Sequence, residues 1–281
     1  MDWNKAKNLI LLFLCLLNAA LFALIFNNNR AYRLTAAQEQ AIRAVLAQNN
    51  IIVTGDILRN FSPMRQIEMQ APGFDHDDLI GIFFDNADGL TRSVERDRIR
   101  YRNDTETLII DGSNITYRNR NGGDGTLPSI QEAERLSNQL MQRIRRLGGN
   151  FVLDGAVSQP VESEDGLLFR FRGRYRGVLI HSNAVDITVN GNGITRVEFS
   201  YLRPVSFVGV RREITSADEA LLTVMHSIRN MFGEHREPMY IEKIDLVYYS
   251  VLSTNAVPYY RVFIYGLLQP FLVNAYLNSI L

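Results

Sequence analysis

An unbroken run of mainly apolar residues, Leu9 to Phe26, follows directly after a polar opening that carries Lys5 and Lys7. A helix needs about 20 such residues to cross the hydrocarbon core of a bilayer, and Asn18 is the only strongly polar interruption. A cleaved secretory signal is the alternative, but it has an apolar core of about 7 to 15 residues and a small-residue exit. Because this segment is longer and lacks that exit, the pattern predicts one uncleaved membrane span.

Three later segments have the pattern of a capped amphipathic helix. They begin at Thr35, Ser129 and Ser216, each followed three residues later by Glu or Gln, which is the capping-box arrangement. Apolar residues then recur at spacings of three and four, which predicts one buried face on each helix. Gly148 and Gly149 mark the end of the second helix.

Each predicted helix is followed by short segments that are typical of antiparallel strands. The hairpin signal is strongest at Asn190–Gly193, where the residues accept the positive φ of a tight turn. The predicted strands are 51–58, 79–84, 107–110 and 115–118, then 151–157, 167–176, 184–189 and 194–201, then 241–252, 259–265 and 271–277. A helix followed by a meander, repeated along the chain, predicts an α+β fold.

The flexible stretch Asn121–Gly125 is the predicted boundary between two domains. The prediction is an anchor and short cytoplasmic tail over residues 1–30, a first α+β domain over 31–125 and a second over 126–281. Two domains are expected because the roughly 250 residues after the span exceed the usual size of one domain. Each domain is expected to be antiparallel sheet packed with helices.

Composition narrows the compartment and the classes of function. The single cysteine, Cys15, lies inside the apolar run, so disulfide, thiol and cysteine–metal chemistry are not expected beyond it. Beyond residue 30 the chain carries 29 acidic and 27 basic residues, a net charge of about −2, which does not favour nucleic acid as a partner. Positive charges flank the span almost equally, but a short tail before it suits a cytoplasmic N-terminus and extracytoplasmic domains.

No motif in the sequence indicates catalysis or a cofactor. The histidines show none of the usual metal-binding spacings, and no serine-nucleophile motif occurs. The segment Asp75–Asp78 offers possible ligands to a divalent cation, but a solvated loop is the preferred interpretation. No catalytic, cofactor-binding or metal-binding residue is therefore predicted.

Two sets of arginines alternate along the chain, at Arg96, Arg98, Arg100 and Arg102 and at Arg170, Arg172, Arg174 and Arg176. Spacing by two places each set on one face of a strand. A half-buried strand with a solvated outer face explains the second set, because its opposite face carries Phe169, Phe171 and Tyr175. The alternative is a docking surface for an anionic partner, since the guanidinium group binds carboxylates in pairs, and Arg170, Arg172, Arg174 and Arg176 are the candidate partner-binding residues outside the membrane.

One face of the predicted span is also a candidate interface. We call it the Asn18 face, and it consists of Cys15, Asn18, Ala19, Phe22 and Ala23, with Phe26 at its end. Small residues four apart allow helices to approach closely in lipid, and an asparagine there can add roughly 0.6 to 2 kcal/mol by hydrogen bonding between helices. A simple tether with an incidental asparagine remains the alternative.

The opening Met1–Lys7, followed at once by a single span, resembles the YycI family of membrane-anchored proteins. The resemblance extends to 214–220, 257–262 and 271–276, which are similar to the capped helix, proline-led strand and closing strand of that family's PepSY-like unit. It implies a non-catalytic regulator that acts with YycH on the sensor histidine kinase WalK (YycG), which controls cell-wall metabolism in Gram-positive bacteria. Contacts between transmembrane helices are implied to carry this regulation.

Two other functions stay open. PepSY-like modules also occur as inhibitory or chaperone-like segments of secreted proteases, so an extracytoplasmic protease-binding module is the nearest alternative. A metal-dependent sensor or enzyme that uses Asp75–Asp78 is the more distant one.

Overall fold

The computed structural model describes residues 3–86, 88–120, 127–156, 160–163, 165–233, 237–251 and 254–281, without the side chains of 4–6 and 23–30. Within these residues the helices are α1 (Trp3–Ala31), α2 (Ala36–Gln48), α3 (His76–Phe83), α4 (Ile130–Ile144) and α5 (Ala217–Phe232), and a 3₁₀ turn, Arg145–Leu147, extends α4. The predicted α+β class is confirmed.

Strands make up most of the remaining chain. They are β1 (Ile51–Val53), β2 (Met64–Gln70), β3 (Thr91–Glu95), β4 (Arg98–Arg102), β5 (Glu106–Asp111), β6 (Asn114–Asn119), β7 (Phe151–Leu153), β8 (Val161–Ser163), β9 (Gly166–Tyr175), β10 (Val178–Asn190), β11 (Gly193–Ser200), β12 (Arg203–Arg212), β13 (Met239–Tyr249), β14 (Asn255–Ile264), β15 (Phe271–Asn274) and β16 (Ser279–Ile280).

The N-terminal helix α1 covers the apolar run, and the apolar side chains described in it, such as Leu9 and Phe22, are exposed. Within the part of the chain that the structure describes, no helix combines the length and the apolarity that crossing a membrane requires. The predicted span is therefore not supported by the structure and stays a prediction.

The three capped helices form where the sequence predicts them, but their caps differ. At α2 both capping-box bonds are present, since the side chains of Thr35 and Gln38 each bond to the other's backbone. At α4 Ser129 accepts a hydrogen bond from the Glu132 amide at 3.2 Å. At α5 the side chain of Ser216 makes no capping bond.

The segment predicted as a strand over 79–84 is helical instead, and the loop predicted at Asp75–Asp78 is the start of that helix. Asp75 is the N-cap of α3, and its side chain accepts a hydrogen bond from the Asp77 amide at 2.8 Å. Acidic residues in the first turn favour a helix N-terminus. The strand prediction was wrong because a short apolar run does not distinguish a strand from a helix.

The chain divides into two compact units, each made of discontinuous segments. Unit 1 comprises Met1–Met64, Arg211–Ile244 and Val262–Leu281, and unit 2 comprises Arg65–Val210 and Asp245–Arg261. These units differ from the predicted domains 31–125 and 126–281, because β13 and β14 each contribute residues to both units. The predicted boundary at Asn121–Gly125 lies outside the described residues.

In unit 1 the buried faces of α2 and α5 pack together. Ile42 and Leu46 of α2 are buried, and α5 buries a longer apolar face that includes Leu221 and Val224. The strand β1 pairs in parallel with 239–241 of β13. The strands β15 and β16 form a hairpin, in which Asn278 supplies a positive φ of 51°.

Unit 2 is built on a large sheet whose antiparallel neighbours run β9–β10–β11–β6–β5–β4–β3. The short strands β7 and β8 both pair with β9. The predicted hairpin at Asn190–Gly193 is confirmed as the turn between β10 and β11, with φ of 102° at Gly193. The prediction of purely antiparallel sheet is corrected by two parallel pairings, β1 with β13 in unit 1 and Ile180 of β10 with Tyr248 of β13 in unit 2.

The core of unit 2 lies on the inner face of this sheet. Its aromatic residues include Phe169, Phe171 and Phe199, and α4 covers them with Leu140 and Ile144. Since alternate residues of a strand point to opposite faces, the arginines that alternate with Phe169 and Phe171 lie on the other face. That face carries the charged site described next.

Candidate functional site

A buried arginine, Arg261, occupies the centre of a cluster of charges in unit 2. It lies on β14 among Tyr260, Val262 and Phe263, and none of its surface is accessible to solvent. A charged side chain in such surroundings must be paired, because an isolated buried charge is strongly unfavourable.

Two aspartates and a histidine use all five N–H donors of Arg261. Its Nε and Nη2 donate to the two carboxylate oxygens of Asp245 at 2.8 and 2.6 Å. Its Nη1 and Nη2 donate to Asp154 at 2.7 and 3.2 Å. The remaining Nη1 hydrogen points to Nδ1 of His181 at 3.1 Å. Since a guanidinium group has five N–H donors, the donors of Arg261 are fully used within the protein.

The cluster continues along β9 through two of the alternating arginines. Nη1 of Arg172 donates to Asp186 at 2.6 Å, and its Nε lies 3.6 Å from Asp154. Nε of Arg170 lies 3.9 Å from the same Asp186. We call these seven residues the Arg261 cluster: Asp154, Arg170, Arg172, His181, Asp186, Asp245 and Arg261. Its three arginines and three aspartates balance in charge.

An irregularity in β10 brings His181 to Arg261. The pairing of β10 with β9 shifts between Ile180 and Ala184, which leaves residues 181–183 outside the ladder between these two strands. Such bulges redirect side chains. The buried Asn183 holds the bulge in place, because its amide accepts from the Leu202 amide at 3.0 Å and donates to the Leu202 carbonyl at 2.7 Å.

A glycine allows the bulge to approach β9. A Cβ atom at Gly173 would lie only 2.6 Å from the Cβ of Asn183, which is closer than side-chain atoms pack. Gly173 is therefore required by the close approach of the two strands.

Burial and charge set the protonation of the cluster. Burial and the positive charges of Arg172 and Arg261 lower the pKa of His181 to about 3, so the ring is neutral near pH 7 and Nδ1 accepts from Arg261. Burial alone would raise the pKa of Asp154, but the hydrogen bonds and charge of Arg261 outweigh it and lower that pKa below its ordinary value. The cluster is thus a charge-balanced network that joins β9, β10, β13 and β14 inside unit 2.

The structure therefore changes the interpretation of the second arginine set. Arg170 and Arg172 are 7% and 5% exposed and cannot form a docking surface or a solvated face. Arg174 and Arg176 are exposed, and the Arg176 guanidinium lies 5.3 Å from the Tyr175 ring centre. Alternation correctly predicted a shared face on β9, but Arg176 lies beyond the end of that strand with a positive φ of 45°. Alternation also carried no information on what covers the face.

Sequence reasoning missed the centre of the cluster. Arg261 is a single charge inside the otherwise apolar stretch Tyr259–Ile264. A buried strand of this kind implies an acidic partner for its arginine, so this signal was available. No local signal identifies the partners of Arg261, because Asp154 lies 107 residues away from it along the chain.

The first arginine set lies at the opposite side of the sheet in unit 2. Arg98, Arg100 and Arg102 are in β4, while Arg96 lies in the turn before it with a positive φ of 55°. Arg98 pairs with Asp111 at 2.7 Å and Arg100 with Glu95 at 3.6 Å.

In the segment Asp75–Asp78, which offered possible ligands to a cation, His76 is engaged by a neighbour. Its Nδ1 lies 3.0 Å from the hydroxyl of Tyr101. Across the residues that the structure describes, no group of three or more potential metal ligands comes together.

The predicted Asn18 face lies on α1. Cys15, Asn18, Ala19 and Phe22 are exposed in the isolated chain, while the side chain of Ala23 lies outside the described residues. Nδ2 of Asn18 donates to the Leu14 carbonyl at 2.8 Å within the helix. An amide side chain has a second hydrogen and an acceptor oxygen, which a neighbouring helix could bind.

No protein-family model matches the chain, and no curated protein matches it significantly. Among solved structures, an uncharacterized protein from Eubacterium rectale has 12% identity and a TM-score of 0.48, over 82% of this chain and 89% of that one. The C-terminal domain of YpeB from Bacillus megaterium has 11% identity and a TM-score of 0.39, over 75% of this chain and 96% of that one. YycH from Bacillus subtilis has 8% identity and a TM-score of 0.48, over 75% of this chain and 54% of that one. At these values no function follows for this chain.

Proposed function

We propose that this protein is a non-catalytic, membrane-anchored regulator of a sensor histidine kinase of the WalK (YycG) type, and that it acts together with a YycH-like protein. The observation that carries the proposal is α1, a continuous helix over Trp3–Ala31 whose described apolar side chains are exposed. Exposed apolar surface of this extent marks a site of interaction with lipid or protein. The sequence resemblance to YycI proteins supplies the identity of the partners.

In this proposal α1 crosses the cell membrane once, with the N-terminus in the cytoplasm and the chain that follows Ala31 outside the cell. A helix of this length would extend beyond the hydrocarbon core, which is about 30 Å thick. The regulated process is cell-wall metabolism in a Gram-positive bacterium.

The Asn18 face is the proposed contact with the membrane helices of the kinase. For the contact to regulate, the face must bind one signalling state of the kinase more tightly than the other. Ala19 allows close approach of a second helix, and the asparagine amide can bond across the contact.

In this proposal the Arg261 cluster has a structural role and not a catalytic one. Its charges balance, and the donors of Arg261 are all engaged by Asp154, Asp245 and His181. A cluster of this kind stabilises a structure and offers no N–H of Arg261 to a substrate.

The first test is purification of the full-length protein from its own membranes, beside a variant in which Leu9–Phe26 is replaced by an unrelated spanning sequence. We expect a histidine kinase to be recovered with the native helix and lost with the replacement. Recovery of a secreted protease with both forms would reject the proposal in favour of a PepSY-type extracytoplasmic protease-binding module.

A finer test changes the face while keeping the helix apolar. We expect Asn18→Leu combined with Ala19→Leu to reduce recovery of the kinase at least severalfold, because it removes the amide and the small contact residue. The matched control exchanges a large and a small side chain on the opposite side of the helix, through Leu17→Ala combined with Ala20→Leu. It should leave recovery of the kinase unchanged. Equal recovery with both double variants would exclude the Asn18 face as the contact.

A further inference from the structure

Strand β3 lies at the end of the sheet in unit 2, where it pairs with a single neighbour among the strands that the structure describes. It pairs with β4 from Thr91↔Arg102 to Glu95↔Arg98, and the order of the described strands ends with it. All five of its residues are exposed. An edge of this kind presents unpaired backbone N–H and C=O groups that another strand can bind.

The turn between the two strands shows which residues present those groups. Arg96 and Asp97 form a two-residue turn, so Glu95 and Arg98 bond to each other across it. Bonded and non-bonded pairs alternate in an antiparallel ladder. Arg92 and Val94 therefore direct their backbone N–H and C=O groups to the open side.

The hairpin around this edge is strongly basic, although the whole chain has a formal net charge of zero. Residues Thr91–Arg102 contain five arginines against Glu95 and Asp97, a net charge of +3. We call this segment the arginine hairpin. Asp111 and Glu95 pair with two of its arginines.

The two faces of the arginine hairpin differ in chemistry. Arg100 and Arg102 of β4 share one face, on which Thr91, Ser93 and Glu95 of β3 lie between them and the open edge. Val94 lies on the other face opposite Ile99, and it is 56% exposed although it is apolar. Arg92 is on the same face as Val94. A strand added beside β3 would thus meet a charged face on one side and an exposed apolar side chain on the other.

We propose that β3 binds an extended acidic segment of a partner protein, which joins the sheet as an additional strand. Backbone hydrogen bonds to Arg92 and Val94 provide the affinity, and alternating side chains provide the specificity. The segment has acidic residues on the face that carries Arg100 and Arg102, and apolar residues on the face that carries Val94.

Charge argues against a second copy of this chain as the occupant. Two arginine hairpins placed edge to edge would bring together two segments of net charge +3, and like charges in such an arrangement repel. Charged residues on an edge strand commonly prevent it from pairing with other sheets. The net positive charge of the arginine hairpin opposes pairing with a second copy of the hairpin, but it attracts an acidic segment. The proposal is independent of the kinase and of the Asn18 face.

The test uses the full chain in detergent micelles and a fluorescent hexapeptide that alternates glutamate with valine. Fluorescence anisotropy measures binding. We expect weak, saturable binding that falls at least tenfold for Arg100→Glu combined with Arg102→Glu, because reversal of two charges removes the electrostatic attraction. Arg146→Glu with Arg211→Glu, which reverses two exposed arginines elsewhere, should leave binding unchanged.

Two further peptides separate strand addition from simple charge attraction. One has the same composition with its glutamates and valines in separate blocks, and the other is N-methylated at its valines. Both should bind at least tenfold more weakly than the alternating peptide, because they lose the alternation or the backbone donors. Equal binding of either peptide, undiminished binding by the Arg100 and Arg102 variant, or no binding of the alternating peptide would overturn the proposal.

Discussion

Single residues of the Arg261 cluster show how burial turns a surface residue type into a structural one. Arginine is mostly exposed in proteins, yet Arg261 is fully buried and Arg172 is 5% exposed. Removing water from these charges is costly, and pairing with aspartates offsets that cost. Substitutions in the cluster should therefore have large effects on the free energy of unfolding.

Arg261→Met is expected to destabilise the protein by about 3 to 5 kcal/mol, because Asp154 and Asp245 then stay buried without their main positive partner. Urea unfolding followed by near-ultraviolet circular dichroism measures the change. The variant that adds Asp154→Asn and Asp245→Asn should regain part of the loss, since it removes the uncompensated charges. A stability change below about 1 kcal/mol for Arg261→Met would contradict the buried network.

Stability should also fall in mild acid because of His181. Its pKa is about 3 in the folded protein and near 6.5 in an unfolded chain. Between these values the unfolded chain binds the extra proton, so stability present above pH 6.5 decreases as the pH falls toward 3. The loss from this residue by pH 5 is about 2 kcal/mol.

His181→Gln provides the measurement, because its amide oxygen can accept from Arg261 but does not titrate. The difference in stability between pH 7 and pH 5 should be smaller in this variant by about 2 kcal/mol. Asp154, whose pKa is lowered, contributes at more acidic pH, where protonation removes its stabilising charge. An identical pH dependence in the variant would mean that folding does not lower the pKa of His181.

At the scale of elements, local signals account for most of the helices and hairpins. The capping box at Thr35 and the turn at Asn190–Gly193 form as expected, because their geometry depends on residues close in sequence. The exception is α3, where a cap at Asp75 overrides a strand-like apolar run. The bulge in β10 also has no local signal, since it depends on contact with β9.

Gly173→Ala tests that bulge. The new methyl group would lie 2.6 Å from the Cβ of Asn183, so β9 and β10 must separate or Asn183 must move. We expect a loss of about 1 to 3 kcal/mol, as for other overpacked sites. Gly155→Ala is the control and should change stability little, because a methyl group at Gly155 would have no neighbouring atom within 4 Å. Similar stability for both variants would show that the strands can separate freely.

At the scale of the whole molecule, the compact units do not follow the order of the chain. Unit 2 takes its last segment, Asp245–Arg261, from residues that follow a large part of unit 1. Two residues of the cluster, Asp245 and Arg261, belong to that segment. Unit 2 is therefore expected to need the distant segment for its stability.

A chain that ends at residue 244 should lose protection from hydrogen exchange in β9 and β10, because Asp154, which also pairs with Arg172 of β9, loses Arg261. A chain that ends at residue 264 retains Arg261, and it should keep most of that protection while losing β15 and β16. Mass spectrometry of exchanged peptides makes the comparison. Equal protection in the two chains would mean that the cluster does not stabilise unit 2.

The sequence by itself determined what depends on neighbouring residues. The helix α1, the starts of α2, α4 and α5, the turn after Asn190 and the alternation of arginines with aromatic residues all follow from local spacing. Only the tertiary structure decided which arginines are buried, how the segments assemble into two units and which strand is left at an edge. These depend on pairing between residues far apart in sequence, such as Arg261 with Asp154, and local patterns of polarity do not specify such pairs.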